Sequence, residues 1–242
     1  MTTDKSGAPG FKIMAIPPDE DGCRFYIEQY KPFRLASLQQ DAHAFGSTYE
    51  RELLFDDAAW LARIKNPLAT TFVAVQSDDS RVIASTSLFG PLPNASPASN
   101  PYQIVSEAVP QSVANDANND DDDNNNNNNN NDKNNNNADN KANSEREPLF
   151  FQMSAVYTNP EARGQGLAKS LIRVATQDAH SRARAQGRPL LLSVVVYAAN
   201  MAAISFYERC GFVKDVRGPK LVFNAHKNSS DEELDMYFQG VS

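Results

Sequence analysis

The sequence is poor in the residues that build metal and disulfide sites. It has two cysteines in 242 residues, Cys23 and Cys210, which give neither a disulfide framework nor a zinc-ligand spacing. Its three histidines, His43, His180 and His226, lie far apart, so no metal site is expected. No apolar run is long enough to cross a bilayer, and the opening MTTDKSGAPG holds no apolar leader. The expectation is a soluble chain with no membrane contact, placed in the cytoplasm, with the nucleus also open. Asn94-Ala95-Ser96 and Asn228-Ser229-Ser230 fit the glycosylation pattern, but without a secretion signal they read as chance matches. A surplus of positive charge is missing as well. The net charge is −7, and residues 91–147 carry all of it, with ten acids against three bases. The remaining residues hold twenty of each sign, a balance that argues against a nucleic-acid binder.

The same tract divides the chain. Prolines and serines at 91–101 lead into an Asp/Asn stretch with eight consecutive asparagines at 124–131. Such a composition builds no core, so the entropy of ordering it goes uncompensated and a long disordered loop is expected. One reading is an interaction or phase-separating segment. The other, which is favoured, is a tolerated low-complexity insertion in a surface loop. It falls between two strand patterns, 82–89 and 150–157, and so interrupts a domain without starting one. The expected organisation is a flexible tail at 1–10 and a single domain over 11–242, interrupted at about 91–147.

In chain order, 11–16 reads as a first strand ended by Pro17-Pro18. The stretch 23–44 is ambiguous. Pro32 forbids an unbroken helix, so a helix starts there or kinks there, while 24–30 fits a strand equally well. A break at 45–48 precedes Tyr49-Glu50-Arg51-Glu52, and 57–64 reads as a short helix with Trp60 on its apolar side. The β-branched run 70–75, a turn at 77–80 and the run 82–89 form an antiparallel hairpin pattern. Toward the end, 190–197 is a continuous apolar run of the kind covered on both faces. A helix at 201–209, capped by Asn200 and stopped by Gly211, and strands at 221–224 and 234–239 follow, the last two split by a polar loop at 228–233.

The chain is organised around residues 150–179. An apolar strand pattern at 150–157 ends at Asn159-Pro160, and Arg163-Gly164-Gln165-Gly166-Leu167-Ala168 follows. From Leu167 an apolar stripe recurs at helical spacing through Leu171, Val174, Ala175 and Ala179. Strand 150–157, helix 165–186 and strand 190–197 thus form one βαβ unit. Small residues sit at a helix start, where unpaired N–H groups and the positive dipole end attract anions. A dinucleotide fingerprint would need glycine where Lys169 stands, and a P-loop would need glycine where Ala168 stands. The stretch instead resembles the pyrophosphate loop of the GNAT superfamily of acyl-CoA N-acyltransferases, Arg/Gln-x-x-Gly-x-Gly/Ala, with Arg163, Gly166 and Ala168 in the three places. A second stretch, with Asn200, Ala203, Phe206, Tyr207, Gly211 and Phe212, resembles the C-terminal GNAT signature at the expected distance downstream. The resemblance covers 148–239 well and 11–90 weakly, where AHAFGSTYERE resembles the region that usually faces the acceptor in that family.

The resemblance implies an α/β GNAT acyl-CoA N-acyltransferase fold, with a mixed, mostly antiparallel central sheet, a splayed parallel strand pair and flanking helices. It implies acetyl-CoA-dependent N-acetylation of a primary amine, by direct transfer in a ternary complex. Pantetheine would pair with the backbone of Val156, Tyr157 and Thr158, and the pyrophosphate would sit on the N–H groups of Arg163, Gly164, Gln165, Gly166, Leu167, Ala168 and Lys169. Arg163 and Lys169 would add positive charge, and Asn200 would touch the cofactor arm. Tyr207 stands in the place of the family's tyrosine acid. The usual basic glutamate is replaced by Gln152, which accepts no proton, and Glu50, Glu52 and Asp235 are substitutes without a motif. Cys210 would suggest a covalent route, but it falls at the helix end opposite the cofactor loop. A catalytically weak acyl-CoA-binding regulatory domain is the alternative that Gln152 suggests. The acceptor is a small-molecule amine or a peptide, and the protein a monomer or homodimer.

Overall fold

A computed structural model describes residues 10–93, 101 and 147–240. The tail at 1–9 and the asparagine run, with the disorder expected of them, lie outside the described residues. β1 (Phe11–Ala15) leads into a helical stretch: α1 (Glu20–Phe25), a π turn (Tyr26–Tyr30) and α2 (Lys31–Gln40). Asp19 caps α1 by accepting from the Gly22 N–H at 2.8 Å. The segment 24–30, left between strand and helix by the sequence, is helical. Pro32 lies in the first turn of α2, where its missing N–H costs little. Just before it the Lys31 N–H reaches back five residues to the Tyr26 carbonyl, so the backbone widens into a π turn. α3 (Tyr49–Leu53) and α4 (Asp57–Ile64) follow, capped by Thr48 and Asp56. Trp60 is fully buried, as its place in the apolar stripe of α4 foretells.

β2 (Ala69–Gln76) and β3 (Val82–Leu92) form the expected antiparallel hairpin. β4 (Leu149–Thr158), α5 (Leu167–Ala185) and β5 (Leu190–Tyr197) form the βαβ unit, and β4 and β5 run parallel. α6 (Met201–Arg209), β6 (Phe212–Lys214), β7 (Lys220–Asn224) and β8 (Ser229–Phe238) complete the described chain. Among the described residues the sheet has eight strands in the order β1-β2-β3-β4-β5-β8-β6, with β7 also on β8, and every pair except β4–β5 is antiparallel. This is the mixed, mostly antiparallel sheet with flanking helices that the resemblance implies. Two boundaries differ from the sequence reading. Pro91 and Leu92 still belong to β3, and Leu92 pairs with Phe150. The expected loop at 228–233 is strand from Ser229, because β8 pairs with β7 over 229–233 and with β5 from Glu233 onward.

The sheet separates two cores. Phe151, Met153, Leu192, Val194 and Met236 pack with Leu167, Leu171 and Ala175 of α5 and with Ile204 and Tyr207 of α6. On the opposite face Val73, Val75 and Tyr157 pack with Tyr26, Tyr30, Leu38 and Trp60 from the N-terminal helices. Alternation along the strands therefore turns Gln152, Ser193, Val195, Tyr197, Glu233 and Asp235 away from α5.

Candidate active site

β4 and β5 pair only from Leu149–Leu190 to Met153–Val194. Beyond that point Ala155 adopts a left-handed φ of 54°. Its strand spends an extra residue there against β3, since Ser87 pairs with Ser154 and Ser85 with Tyr157. The bulge turns the end of β4 away from β5. A cavity of about 170 Å³ opens in the gap, lined by 152–156 on one side and 195–197 on the other. Asn200, Ala203 and Tyr207 of the α6 region line it toward the α5 side, and Phe45, Arg51 and Glu52 line it toward the N-terminal helices. The turn between β7 and β8 closes that second side. Asn224 Nδ2 donates to the Gly46 carbonyl at 2.8 Å, Lys227 Nζ to the Ala42 carbonyl at 3.1 Å, and Tyr197 Oη to the Phe45 carbonyl at 3.2 Å.

The loop 163–166 joins β4 to α5. Gly164 and Gly166 have φ of 80° and 77°, a backbone that side chains disfavour. A Cβ added at either would meet nothing within 4 Å, so the space above the loop is open. Gly166 is the N-cap of α5 and offers no side-chain cap, which leaves the first N–H groups of a 19-residue helix facing that space. This cradle fits a pyrophosphate, with backbone of Arg163, Gly164, Gln165, Gly166, Leu167, Ala168 and Lys169 around it. The Arg163 side chain, expected to add charge here, is committed elsewhere. It donates to Asp41 Oδ2 at 2.7 Å and to the Thr158 carbonyl at 3.1 Å, and lies over the Tyr157 ring. Lys169 is exposed in the first turn of α5.

On β4, Val156 packs toward the α5 core, and Tyr157 is buried on the other face. The Tyr157 hydroxyl lies 2.8 Å from Asp41 Oδ2 and 3.0 Å from Gln40 Oε1. Burial first, then the bond to Asp41 and its charge, push this phenol up to about 12, so it acts as an anchor for the strand end. Thr158 offers its carbonyl to Arg163, and its buried hydroxyl has no partner among the described residues. Asn200 caps α6 by accepting from the Ala203 N–H at 3.0 Å and lines the cavity.

Tyr207 lines the cavity with its ring edge-on to Phe206 and Phe212. No described residue hydrogen-bonds its hydroxyl. Burial, and to a lesser degree Cys210, push its pKa upward, so it stays protonated at neutral pH. Cys210 lies within electrostatic reach of Lys169, which places it nearer the cofactor loop than the sequence suggests. It is nonetheless buried, its thiol is pushed up by burial, and it does not line the cavity, so the covalent route gains nothing.

Gln152 is buried and lines the cavity. Of the three substitute bases, Glu50 is exposed and Asp235 is held by Lys220 Nζ at 2.8 Å, and neither lines the cavity. Glu52 does, but it is gripped by Arg34 at 3.0 Å and Arg63 at 3.1 Å. Burial alone would raise its carboxyl, yet the two guanidinium charges and the bonds from Arg34 and Ser47 outweigh it and hold it at about 2. A carboxylate that acidic is a poor base. The sequence missed Glu233, a buried carboxylate opposite Tyr197 that also lines the cavity. Its signal was hidden inside the stretch read as loop.

A parallel strand pair forced apart by a bulge, opening onto an uncapped glycine-bearing helix start, defines an acyl-CoA N-acyltransferase fold. Residues 136–214 match the family model described as Acetyltransferase (GNAT) domain. Over that stretch, about a third of the chain, the sequence is similar to a GNAT acetyltransferase domain, a class of enzyme that uses acetyl-CoA as acyl donor. Solved structures with the same fold include Arabidopsis thaliana NAA60 in complex with acetyl-CoA, at TM-score 0.52 and 14% identity over 96% of this chain and 100% of that one. The same protein with a bisubstrate analogue gives 0.50 and 14% over 95% and 99%. A structure assigned as an acetyltransferase from Acinetobacter baylyi gives 0.52 and 13% over 96% and 93%. No curated protein matches the chain in sequence.

Proposed function

We propose that this chain transfers an acetyl group from acetyl-CoA directly to a primary amine, in a ternary complex, as a cytoplasmic enzyme. The observation that carries the reading is the divergence of β4 and β5 beyond Met153–Val194, which opens backbone of both strands beside the Tyr207 hydroxyl. Acetyl-CoA supplies a thioester whose carbonyl the amine attacks, forming C–N as C–S breaks. The backbone of Val156, Tyr157 and Thr158 and the loop from Arg163 to Lys169 would hold it, with Asn200 at the arm. Tyr207 keeps its proton in the resting site and hydrogen-bonds the departing sulfur; a thiol of pKa about 8–9 is a stronger acid than this phenol, so the proton passes to sulfur only as another replaces it on the tyrosine. The amine, reacting in its neutral form, gives up that replacement proton as C–N forms, since Gln152 accepts none. The acceptor is a small-molecule amine or a peptide end, and the neighbour solved with a bisubstrate analogue has a like architecture.

Calorimetry with acetyl-CoA, followed by thiol release with a panel of amines, tests this. Binding with amine-dependent release supports it. Binding without release from any amine favours a regulatory acyl-CoA-binding domain, to which the buried Gln152 points. Absence of binding overturns both.

A further inference from the structure

Three guanidinium groups, Arg34, Arg51 and Arg63, line the acceptor side of the cavity, against two carboxylates, Glu52 and Glu233. Glu52 is spent on Arg34 and Arg63. Arg51 is different. Its Nη1 donates to Ser47 Oγ at 3.2 Å and its guanidinium lies 5.0 Å from the centre of the Phe55 ring. No carboxylate of the described residues lies within ion-pair distance of it. We propose that Arg51 receives an anionic group of the acceptor, and that the acceptor is a small amine that also bears a carboxylate. The proposal rests on the acetyl-transfer reading above.

Burial, then the like charges of Arg63 and Arg34, act against the Arg51 charge and are only partly offset by Glu52. A guanidinium does not shed its proton at neutral pH, so an incoming anion relieves this strain. A carboxylate suits it better than a point anion, because the planar fork pairs with both oxygens. Besides Arg34 and Arg63, His226 from the turn between β7 and β8 is a cation-capable group near Arg51. Burial and the Arg51 charge push His226 down, so it stays neutral at neutral pH and leaves the anion to Arg51. The same cavity wall holds Glu233, Gln152 and Tyr197, which suit an ammonium or amine. The lining thus offers a partner both to an anion and to an amine. A volume of about 170 Å³ falls below the roughly 300–1,000 Å³ of sites for drug-sized ligands, which points to an amino acid or a similarly small acceptor.

The test pairs L-amino acids with their carboxamides, which keep the amine and lose the charge. Binding to the CoA-saturated full chain is measured by calorimetry, and kcat/KM with acetyl-CoA alongside it. The wild-type protein should favour the acid over its amide by about tenfold or more. Arg51→Gln should bring that ratio close to one, mainly through binding and KM, and Arg51→Lys should restore part of it. Acid and amide bound equally by the wild type, or a ratio unmoved in Arg51→Gln, would overturn the proposal. Failure of acetyl-CoA to bind, read in the same instrument without any acceptor, would instead overturn the acetyl-transfer reading and this inference with it.

Discussion

Tyr207 and Glu52 are both buried beside the cavity, yet removal of each should be felt in a different measurement. Tyr207→Phe deletes a hydroxyl that no described residue bonds, so stability should change by no more than about 1 kcal/mol. Acetyl-CoA affinity should hold, because the proposed contacts are backbone. Turnover should fall about a hundredfold, more in kcat than in KM, because the proton is needed as the sulfur leaves. Full turnover of the Phe variant, with chemistry rate-limiting, would reduce Tyr207 to a packing residue. Glu52→Gln should act on stability instead. It strips the carboxylate from two largely buried arginines, a loss of about 3–5 kcal/mol. The folded-state pKa of about 2 lies below the ordinary 4.5, so the stabilisation is full above the ordinary value and disappears as pH falls toward the folded one. That window is worth on the order of 3 kcal/mol. Urea melts of both proteins should therefore differ most at pH 6–7, draw together below about pH 5 and converge only at about pH 2. A gap that stays constant with pH would mean that Glu52 is not ionised in the folded protein.

The loop and helix that start α5 make a prediction with an internal control. Gly166 and Gly187 lie at opposite ends of α5, both have positive φ, and an added Cβ meets nothing at either. Asp at each site carries a similar backbone cost of about 1–2 kcal/mol. Only Gly166→Asp places a negative charge in the proposed pyrophosphate cradle, so it alone should weaken acetyl-CoA by tenfold or more, roughly 1.4 kcal/mol. Equal losses in both variants would trace the effect to backbone strain and remove the loop from the site. The loop was legible because glycine spacing at a helix start has a steric reason that the sequence displays. β4, β5 and the hairpin of β2 and β3 were legible as apolar runs. The π turn at Tyr26–Tyr30 was not, because the backbone absorbs Pro32 by widening, which leaves no periodicity to read. The bulge at Ala155 had no signal, since alanine does not announce a positive φ. Glu233 was lost because Ser229-Ser230-Asp231-Glu232 has turn composition, and only pairing with β5 and β7 makes it strand. Arg34, Arg51 and Arg63 come from separate helical segments, so nothing in the sequence brings them together.

At the scale of the whole molecule, the question is whether the acidic tract is part of the fold. Its charge is the protein's entire formal net charge, and the rest of the chain is balanced. The described residues on either side of it belong to one sheet, and the pair Leu92–Phe150 sets its two ends side by side. A short linker can therefore close the gap without moving a strand. We propose that residues 102–143 are dispensable for folding. Pro101 is kept in the design because it is buried and lines the cavity. Replacing 102–143 with about six Gly/Ser residues shortens the connection by between one and two halvings, a gain of about 1 kcal/mol in closure entropy. For a protein of this size that raises Tm by no more than about 4 °C. Thermal melts of the two proteins at the same concentration give the answer, and circular dichroism checks that the fold is kept. A Tm lowered by about 10 °C or more, several kcal/mol on the same scale, would show that the tract packs on the domain and contributes to its core.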